Sequence, residues 1–394
     1  MWFFYSPTII HGRDALQFVA DLPFERVFVV TDGDLVKLGV VKPLLRLFKK
    51  NAKKWDVFSD VEPDPLDQTV VAAAGRCRDF GPDLIVGFGG GSSIDVAKGV
   101  WVLYENPDLG VDDIHPFEKL RVGTKARLLA IPTTSGTGAE ATWGVILSRD
   151  RGEGVTQKME LAAREVIPTW AVLDPSFTRT MPAGLTAQSG FDALGHALES
   201  LVATWENDFT DALGLKAAQN VFEYLPRAVK DPDDLLAREK LQLAALMAGL
   251  AFGNCHVVVG HSMAHALAAH FHLPHGLTVA LFLPLALRFV VEDPENDGPA
   301  EKLGLVAKQL GMADWSDEPK LAAEKLIRRV TELAENLGLP TCVADAGVDE
   351  NEYFAKLDSM VELAMESSSI VTCPRRVDRE ELKRLFGAAW SKNT

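Results

Sequence analysis

The stretch PDLIVGFGGGSSIDVAKG, residues 82–99, decides the fold. Its first half is an apolar, β-branched run that reads as a buried strand. Three consecutive glycines break the run, and a helical pattern follows. Gly89, Gly90 and Gly91 let the backbone approach a ligand closely and take positive φ. Ser92 or Ser93 is placed to cap the helix. A helix start offers unpaired N–H groups and partial positive charge, which suits a pyrophosphate. The turn is neither GxGxxG nor a Walker motif, so its plain alternative is a tight strand–helix connection.

On either side the same alternation continues. RVFVVTD (26–32), KKWDVFSDV (53–61) and ARLLAIPTT (126–134) read as strands, and LDQTVVAAAGRCRDFG (66–81) as a helix stopped by glycine. Such alternation predicts an α/β, Rossmann-like unit with a parallel sheet. A second polar loop, PTTSGTGAE (132–140), follows a strand, and two such loops beyond neighbouring strands reinforce one another as a binding edge. Asp32 ends the first of these strands. A carboxylate there can accept hydrogen bonds from an adenosine ribose and would repel a 2′-phosphate, and its plain alternative is a helix N-cap. Because Asp32 precedes the glycine turn in the chain, the strand order must differ from the common dinucleotide-binding template.

After WAVLDP (170–175) the character changes. From about residue 183 long Ala/Leu-rich helical patterns dominate, and DPSFTRTMPAG supplies the boundary turns. The expected division is an α/β dinucleotide-binding domain over 1–178 and an all-helical domain over 179–394.

Bulk properties narrow the function. The 394 residues are 47% apolar and 24% charged, a globular composition, with a net charge of −15. A field of that sign argues against nucleic acid or an anionic membrane as partner. Cys77, Cys255, Cys342 and Cys373 form no CxxC, which fits a reducing, cytoplasmic setting rather than a disulfide framework or a thiolate zinc site. MWFFYSPTII lacks a basic segment and a small-residue cleavage site, so it is not read as a signal peptide. GLTVALFLPLAL is too short to span a bilayer.

Histidines are unevenly placed. HSMAHALAAHFHLPHG (261–276) holds His261, His265, His270, His272 and His275, and His256 lies just upstream, so six of the nine histidines fall here. Metal binding is the sharp explanation, and a solvated histidine face the plain one. FDALGHALE (191–199) adds Asp192 and His196, four apart in an apolar helix, a costly pair unless bonded to each other or to a metal. One carboxylate and three imidazoles from such segments would hold a divalent ion and leave a position open for substrate.

Together these blocks resemble the iron-containing (group III) alcohol dehydrogenase family. The resemblance runs in order through FYSPTIIHG, GGGSSIDVAK, IPTTSGTGAE, LDPSFTRTMP, GFDALGHALE, HSMAHALAAHFHLPHG and CPRRVDREEL. It implies a dehydroquinate-synthase-like fold with the active site in a cleft between the two domains, and commonly a homodimer or larger homo-oligomer. It implies metal ligands at Asp192, His196, His261 and His275, and a non-ligand histidine near the substrate at His265. His256, His270 and His272 match no ligand position. Cofactor contacts carry over to Asp32, Gly89, Gly90, Gly91, Ser92, Ser93, Asp95, Thr133, Thr134, Thr137 and Lys158. Asp32 favours NAD over NADP. Fe(II) is the implied metal, with zinc or another divalent ion compatible with the same donors.

The chain departs from the family where many members read something like NAGLGAVHAMAH and this one reads NCHVVVGHSMAH. Cys255, His256 and Gly260 would therefore reshape the substrate pocket, and Trp143 and Gly144 stand where some members carry an asparagine. The implied activity is interconversion of small primary alcohols or diols with aldehydes by hydride transfer to NAD(P), with the metal acting as Lewis acid and His265 relaying the proton. The rivals are a zinc polyol dehydrogenase, an NAD-dependent lyase or cyclase, and a non-catalytic NAD- or metal-binding protein. A lyase handling a polyanion needs several Lys and Arg, and the segments around these ligands are short of both.

Overall fold

A computed structural model describes residues 3–150 and 156–391, so the first two residues of the apolar N-terminal stretch lie outside it. The chain divides into two compact units, Met1–Met181 and Pro182–Thr394.

The first unit runs β1 (Thr8–His11), β2 (Arg26–Asp32), α1 (Gly33–Leu38), α2 (Lys42–Lys50), β3 (Lys54–Val61), α3 (Asp67–Phe80), β4 (Leu84–Gly89) and α4 (Gly91–Glu105). It continues with β5 (Arg127–Pro132), β6 (Gly144–Asp150), β7 (Thr156–Ala162) and β8 (Trp170–Leu173). Six strands pair in parallel in the order β1-β8-β5-β4-β2-β3. Both faces of the sheet are covered, which is why its strands are continuously apolar. Val27 and Val29 pack into one core with Leu84, Val86 and Ile131, while Phe28 and Val30 point the other way with Ile85 and Leu128.

The strands read from sequence at 26–32, 53–61, 82–91 and 126–134 are β2, β3, β4 and β5, and the 66–81 helix is α3. The sequence reading had no counterpart for β1, β8 or the antiparallel hairpin β6–β7. Register explains the binding edge. Val30 lies opposite Gly87 and Gly89 opposite Pro132, so Asp32, the glycine turn and the threonine loop all emerge at the carboxyl ends of adjacent strands. Asp32 therefore reaches this edge although it precedes the glycines in sequence, because β2 is the immediate neighbour of β4.

A buried ion pair fixes the hairpin to α4. Lys98 Nζ, wholly buried, lies 3.2 Å from Asp95 Oδ1 and donates to Thr142 Oγ1 at 3.2 Å and to the Gly144 carbonyl at 2.7 Å. Asp95 Oδ2 accepts from the Ile146 N–H at 3.1 Å.

The second unit is helical throughout its described residues. It runs α5 (Ala183–Ser200), α6 (Asp208–Lys230), α7 (Leu235–Cys255), α8 (Val259–Phe271) and α9 (His275–Val291). Then follow α10 (Gly298–Gln309), α11 (Pro319–Asn336), α12 (Glu350–Ala355), α13 (Leu357–Glu366) and α14 (Arg379–Ala389). One continuous core joins them, with Phe191, Leu194 and Leu198 of α5 at its centre beside Phe282 and Leu283 of α9. Among the described residues no single helix is long and apolar enough to cross a membrane.

Removing one member of a buried ion pair leaves the other uncompensated. Lys98→Met is therefore expected to lower stability by roughly 3 kcal/mol in urea unfolding. The double variant Asp95→Asn/Lys98→Met, which keeps an acceptor for the Ile146 N–H, should recover at least half of that loss. Equal stability of Lys98→Met and wild type would show that the pair contributes nothing.

Candidate active site

Three helices of the second unit gather Asp192, His261 and His275, with donor atoms within 4.8 Å of one another, and His196 stands beside Asp192. On α5, Asp192 and His196 are one turn apart and face the same side. His261 stands in the first turn of α8. That helix ends at Phe271, His272 takes a left-handed conformation at φ 52°, and α9 opens at His275. Asp192 Oδ1 lies 3.8 Å from His196 Nε2, 3.8 Å from His261 Nε2 and 3.3 Å from His275 Nε2. Donors about 2.1 Å from a shared tetrahedral ion are separated by roughly 3.4 Å, the spacing seen here.

The donors fit a cation. Among the described residues, neither Asp192 Oδ1 nor His261 Nε2 finds a hydrogen-bond partner, although both are buried. Each such orphan costs about 1–3 kcal/mol, and an ion would satisfy both. Burial pushes His196 down to about 3, so its imidazole is neutral and its lone pair available. His261 is different. Burial opposes its charge, but Glu199 and Asp192 outweigh burial and push it up to about 10, which marks this position as one that favours positive charge. His275 keeps 32% of its side-chain surface exposed and is the accessible side of the cluster.

Glu199 completes the site, and the sequence reading did not assign it. It is wholly buried. Its Oε1 lies 3.0 Å from His261 Nδ1 and its Oε2 accepts the Val258 N–H at 2.7 Å. A carboxylate on Nδ1 fixes the proton there and leaves Nε2 to face Asp192. The signal was present in the helix: Asp192, His196 and Glu199 recur at i, i+4 and i+7, a single stripe.

Three glycines permit this packing. A Cβ on Gly195 would stand 2.6 Å from Val279 Cγ1 and 3.1 Å from His261 Cε1. One on Gly260 would meet Glu199 Oε1 at 2.4 Å, and one on Gly276 the Gln188 carbonyl oxygen at 2.2 Å.

The other histidines go elsewhere. His265 lies beside the donors, its ring 4.9 Å from that of His275 and 6.3 Å from that of His261. His256 Nε2 bonds Ser368 Oγ and His270 Nε2 bonds Ser359 Oγ. His272 is exposed.

In the first unit the glycine turn and the threonine loop touch. A Cβ on Gly91 would lie 2.8 Å from Thr137 Cγ2, and one on Gly90 3.4 Å from Thr134 Cγ2. Thr133 N–H donates to the Gly89 carbonyl at 2.9 Å. Gly89 takes φ 153°, and a Cβ there would meet Ser93 Oγ at 2.5 Å. Ser92 and Ser93 lie in the first turn of α4, which no side chain caps. Asp32 caps α1 through Oδ1, which accepts the Leu35 N–H at 2.8 Å. Two candidates are held by other partners: Asp95 by Lys98 and Ile146, and Lys158 by Asp64.

Comparison with known proteins identifies the family. The model described as iron-containing alcohol dehydrogenase matches residues 6–175, and that of the Fe-containing alcohol dehydrogenase family, C-terminal, matches 186–390. The chain belongs to the iron-containing alcohol dehydrogenase family. It is 35% identical to the NADPH-dependent butanol dehydrogenase of Clostridium saccharobutylicum, over 98% of this chain and 97% of that one. It is 34% identical to the 1-propanol dehydrogenase of Citrobacter freundii, over 98% of each. The iron-containing alcohol dehydrogenase structure from Thermococcus thioreducens superposes with a TM-score of 0.88 at 30% identity, covering 100% of both chains. The chain is thus an NAD(P)-dependent oxidoreductase of the iron-containing alcohol dehydrogenase family, and the zinc polyol alternative is not favoured. The family and the Asp/His cluster together support a divalent metal.

Replacing Glu199 by Gln leaves one acceptor where two donors converge. Glu199→Gln is expected to weaken metal binding by about 10–100-fold with the fold retained. Competition against a chromophoric chelator measures this, and wild-type affinity would remove Glu199 from the site's design.

Proposed function

We propose that this protein interconverts small primary alcohols, or diols, with aldehydes, using Fe(II) held by Asp192, His196, His261 and His275 and a dinucleotide held at the glycine turn. The observation that carries the reading is the convergence of three Nε2 atoms on one buried carboxylate oxygen that has no hydrogen-bond partner among the described residues. When bound there, the ion supplies Lewis acidity toward a substrate oxygen. The residues do the rest. Glu199 keeps His261 oriented, Phe252 stacks on the His196 ring at 4.0 Å and shields that side from water, and half-exposed His275 borders the open side. His265, next to His275, moves the hydroxyl proton between substrate and solvent.

The Gly90–Ser93 helix start and Thr133, Thr134 and Thr137 receive the phosphates and nicotinamide ribose. Asp32 faces the adenosine ribose, so NAD is the expected cofactor. The unpaired state of Cys77, Cys255, Cys342 and Cys373, all buried, suits a reducing cytoplasm.

The direct test is net NAD(P)H formation by the metal-loaded protein with short primary alcohols, absent after chelation. His265→Ala should slow turnover by about 10²-fold or more while keeping full metal content, and His261→Ala should lose the metal. Equal metal loss in both variants would end that division of roles. Asp32→Ser keeps a cap for α1 but removes the charge, and should shift the preference between NADH and NADPH by about tenfold toward NADPH. An unchanged preference would mean that Asp32 serves only as a cap.

A further inference from the structure

The corner between α7 and α8 turns the chain through 106° in three residues, His256, Val257 and Val258. Three backbone groups of the corner are tied down. The His256 N–H closes α7 on the Phe252 carbonyl at 2.6 Å, the Val257 carbonyl accepts from Thr372 Oγ1 at 2.7 Å, and the Val258 N–H donates to Glu199 Oε2. His256 itself takes φ 78° and ψ 176°. That region is essentially reserved for glycine, and another residue persists in it only where its surroundings over-determine the conformation.

The restraint is visible in the side chain. His256 Nε2 lies 3.0 Å from Ser368 Oγ, on the short helical turn Ser368–Ile370, and the ring meets Trp205 edge-on at 6.5 Å. Released from that anchor, the corner would relax toward an ordinary conformation and carry Val258 with it. Glu199 could not adjust independently. It is wholly buried, and its Oε1 is wedged against Gly260, where even a methyl group would collide with it at 2.4 Å.

We infer that His256 is a positioning residue for the metal centre: its imidazole, anchored on Ser368, holds the corner that sets the Val258 N–H on Glu199 and so aims His261 Nε2 at Asp192. This rests on reading Asp192, His196, His261 and His275 as the metal donors.

The test uses the full-length protein loaded with zinc(II), its release followed with an excess of chromogenic chelator, alongside thermal unfolding. Ser368→Ala and His256→Ala, which lose the anchor but keep a side chain at the strained corner, are expected to release zinc roughly three- to tenfold faster than wild type. His256→Gly should melt no lower than wild type and release zinc as slowly, because glycine takes the corner without strain and needs no anchor. Ser368→Thr, which keeps the hydroxyl, should restore slow release. Wild-type release rates in both Ser368→Ala and His256→Ala, whatever their stability, would make His256 a purely structural residue and overturn the inference. A wild-type protein that takes up no zinc would instead remove the metal reading, and this inference with it.

Discussion

The second unit depends on a single uncompensated contact: a buried carboxylate oxygen, Asp192 Oδ1, facing imidazole nitrogens from three helices. In a low-dielectric interior such an oxygen is tolerable only beside positive charge. Its neighbours cannot all supply that charge as protons, because burial and mutual repulsion keep His196 neutral. A cation shared by Asp192, His261 and His275, the three whose donor atoms lie within 4.8 Å of one another, would resolve that conflict. That demand sets the approach of α5, α8 and α9, and the apolar packing of Phe191, Leu194, Val279 and Phe282 serves the same arrangement.

Close approach then dictates where side chains must be missing. Gly195, Gly260 and Gly276 lie on the three helices that carry the donors, and at each a Cβ would fall under 3 Å from a neighbouring atom. Gly195 is in a helix interior, where glycine costs about 1 kcal/mol relative to alanine, whereas Gly260 and Gly276 are in first turns. The α5 helix bears that cost because the donors must reach one point. Glu199 is the other half of the arrangement. By holding both His261 and the N–H of Val258, it turns a flexible ring into an oriented one and links the donor set to the α7–α8 corner.

Much of this was legible in the sequence, and the rest was not for definable reasons. β2, β4 and β5 were readable because strands buried on both faces are continuously apolar. β1 and β8 are four residues each, too short for periodicity to register, and β6–β7 alternates in an antiparallel hairpin beside a sheet that announced itself as parallel. The i, i+4 spacing of Asp192–His196 and of His261–His265 pointed to a metal in these segments, while the set Asp192, His196, His261 and His275 came from the family resemblance. Glu199 was passed over because a glutamate seven residues beyond an aspartate looks like a solvated face until its burial is known. His256, His270 and His272 matched no ligand position, but proximity in sequence did not show where they would turn. His256 and His270 instead reach serines near the two ends of α13, tying that helix to the one that carries His261.

The dinucleotide edge of the first unit works under a different constraint. The chain carries a net charge of −15, so its long-range field does not attract phosphates. Lys98 and Lys158 do not correct this: Lys98 is buried against Asp95, Thr142 and Gly144, and Lys158 pairs with Asp64. At physiological ionic strength that unfavourable field fades beyond about 8 Å, and what remains is contact chemistry at the uncapped start of α4. Backbone N–H donors act only at hydrogen-bond range, so a phosphate must come right against the chain. Gly89, Gly90 and Gly91 matter for that reason. Thr134 and Thr137 already fill the space where side chains on Gly90 and Gly91 would go, so the turn is bare on the side left for a ligand and packed on the other. In an acidic protein, a charged cofactor at the proposed glycine-turn site would rest on backbone shape more than on cationic side chains.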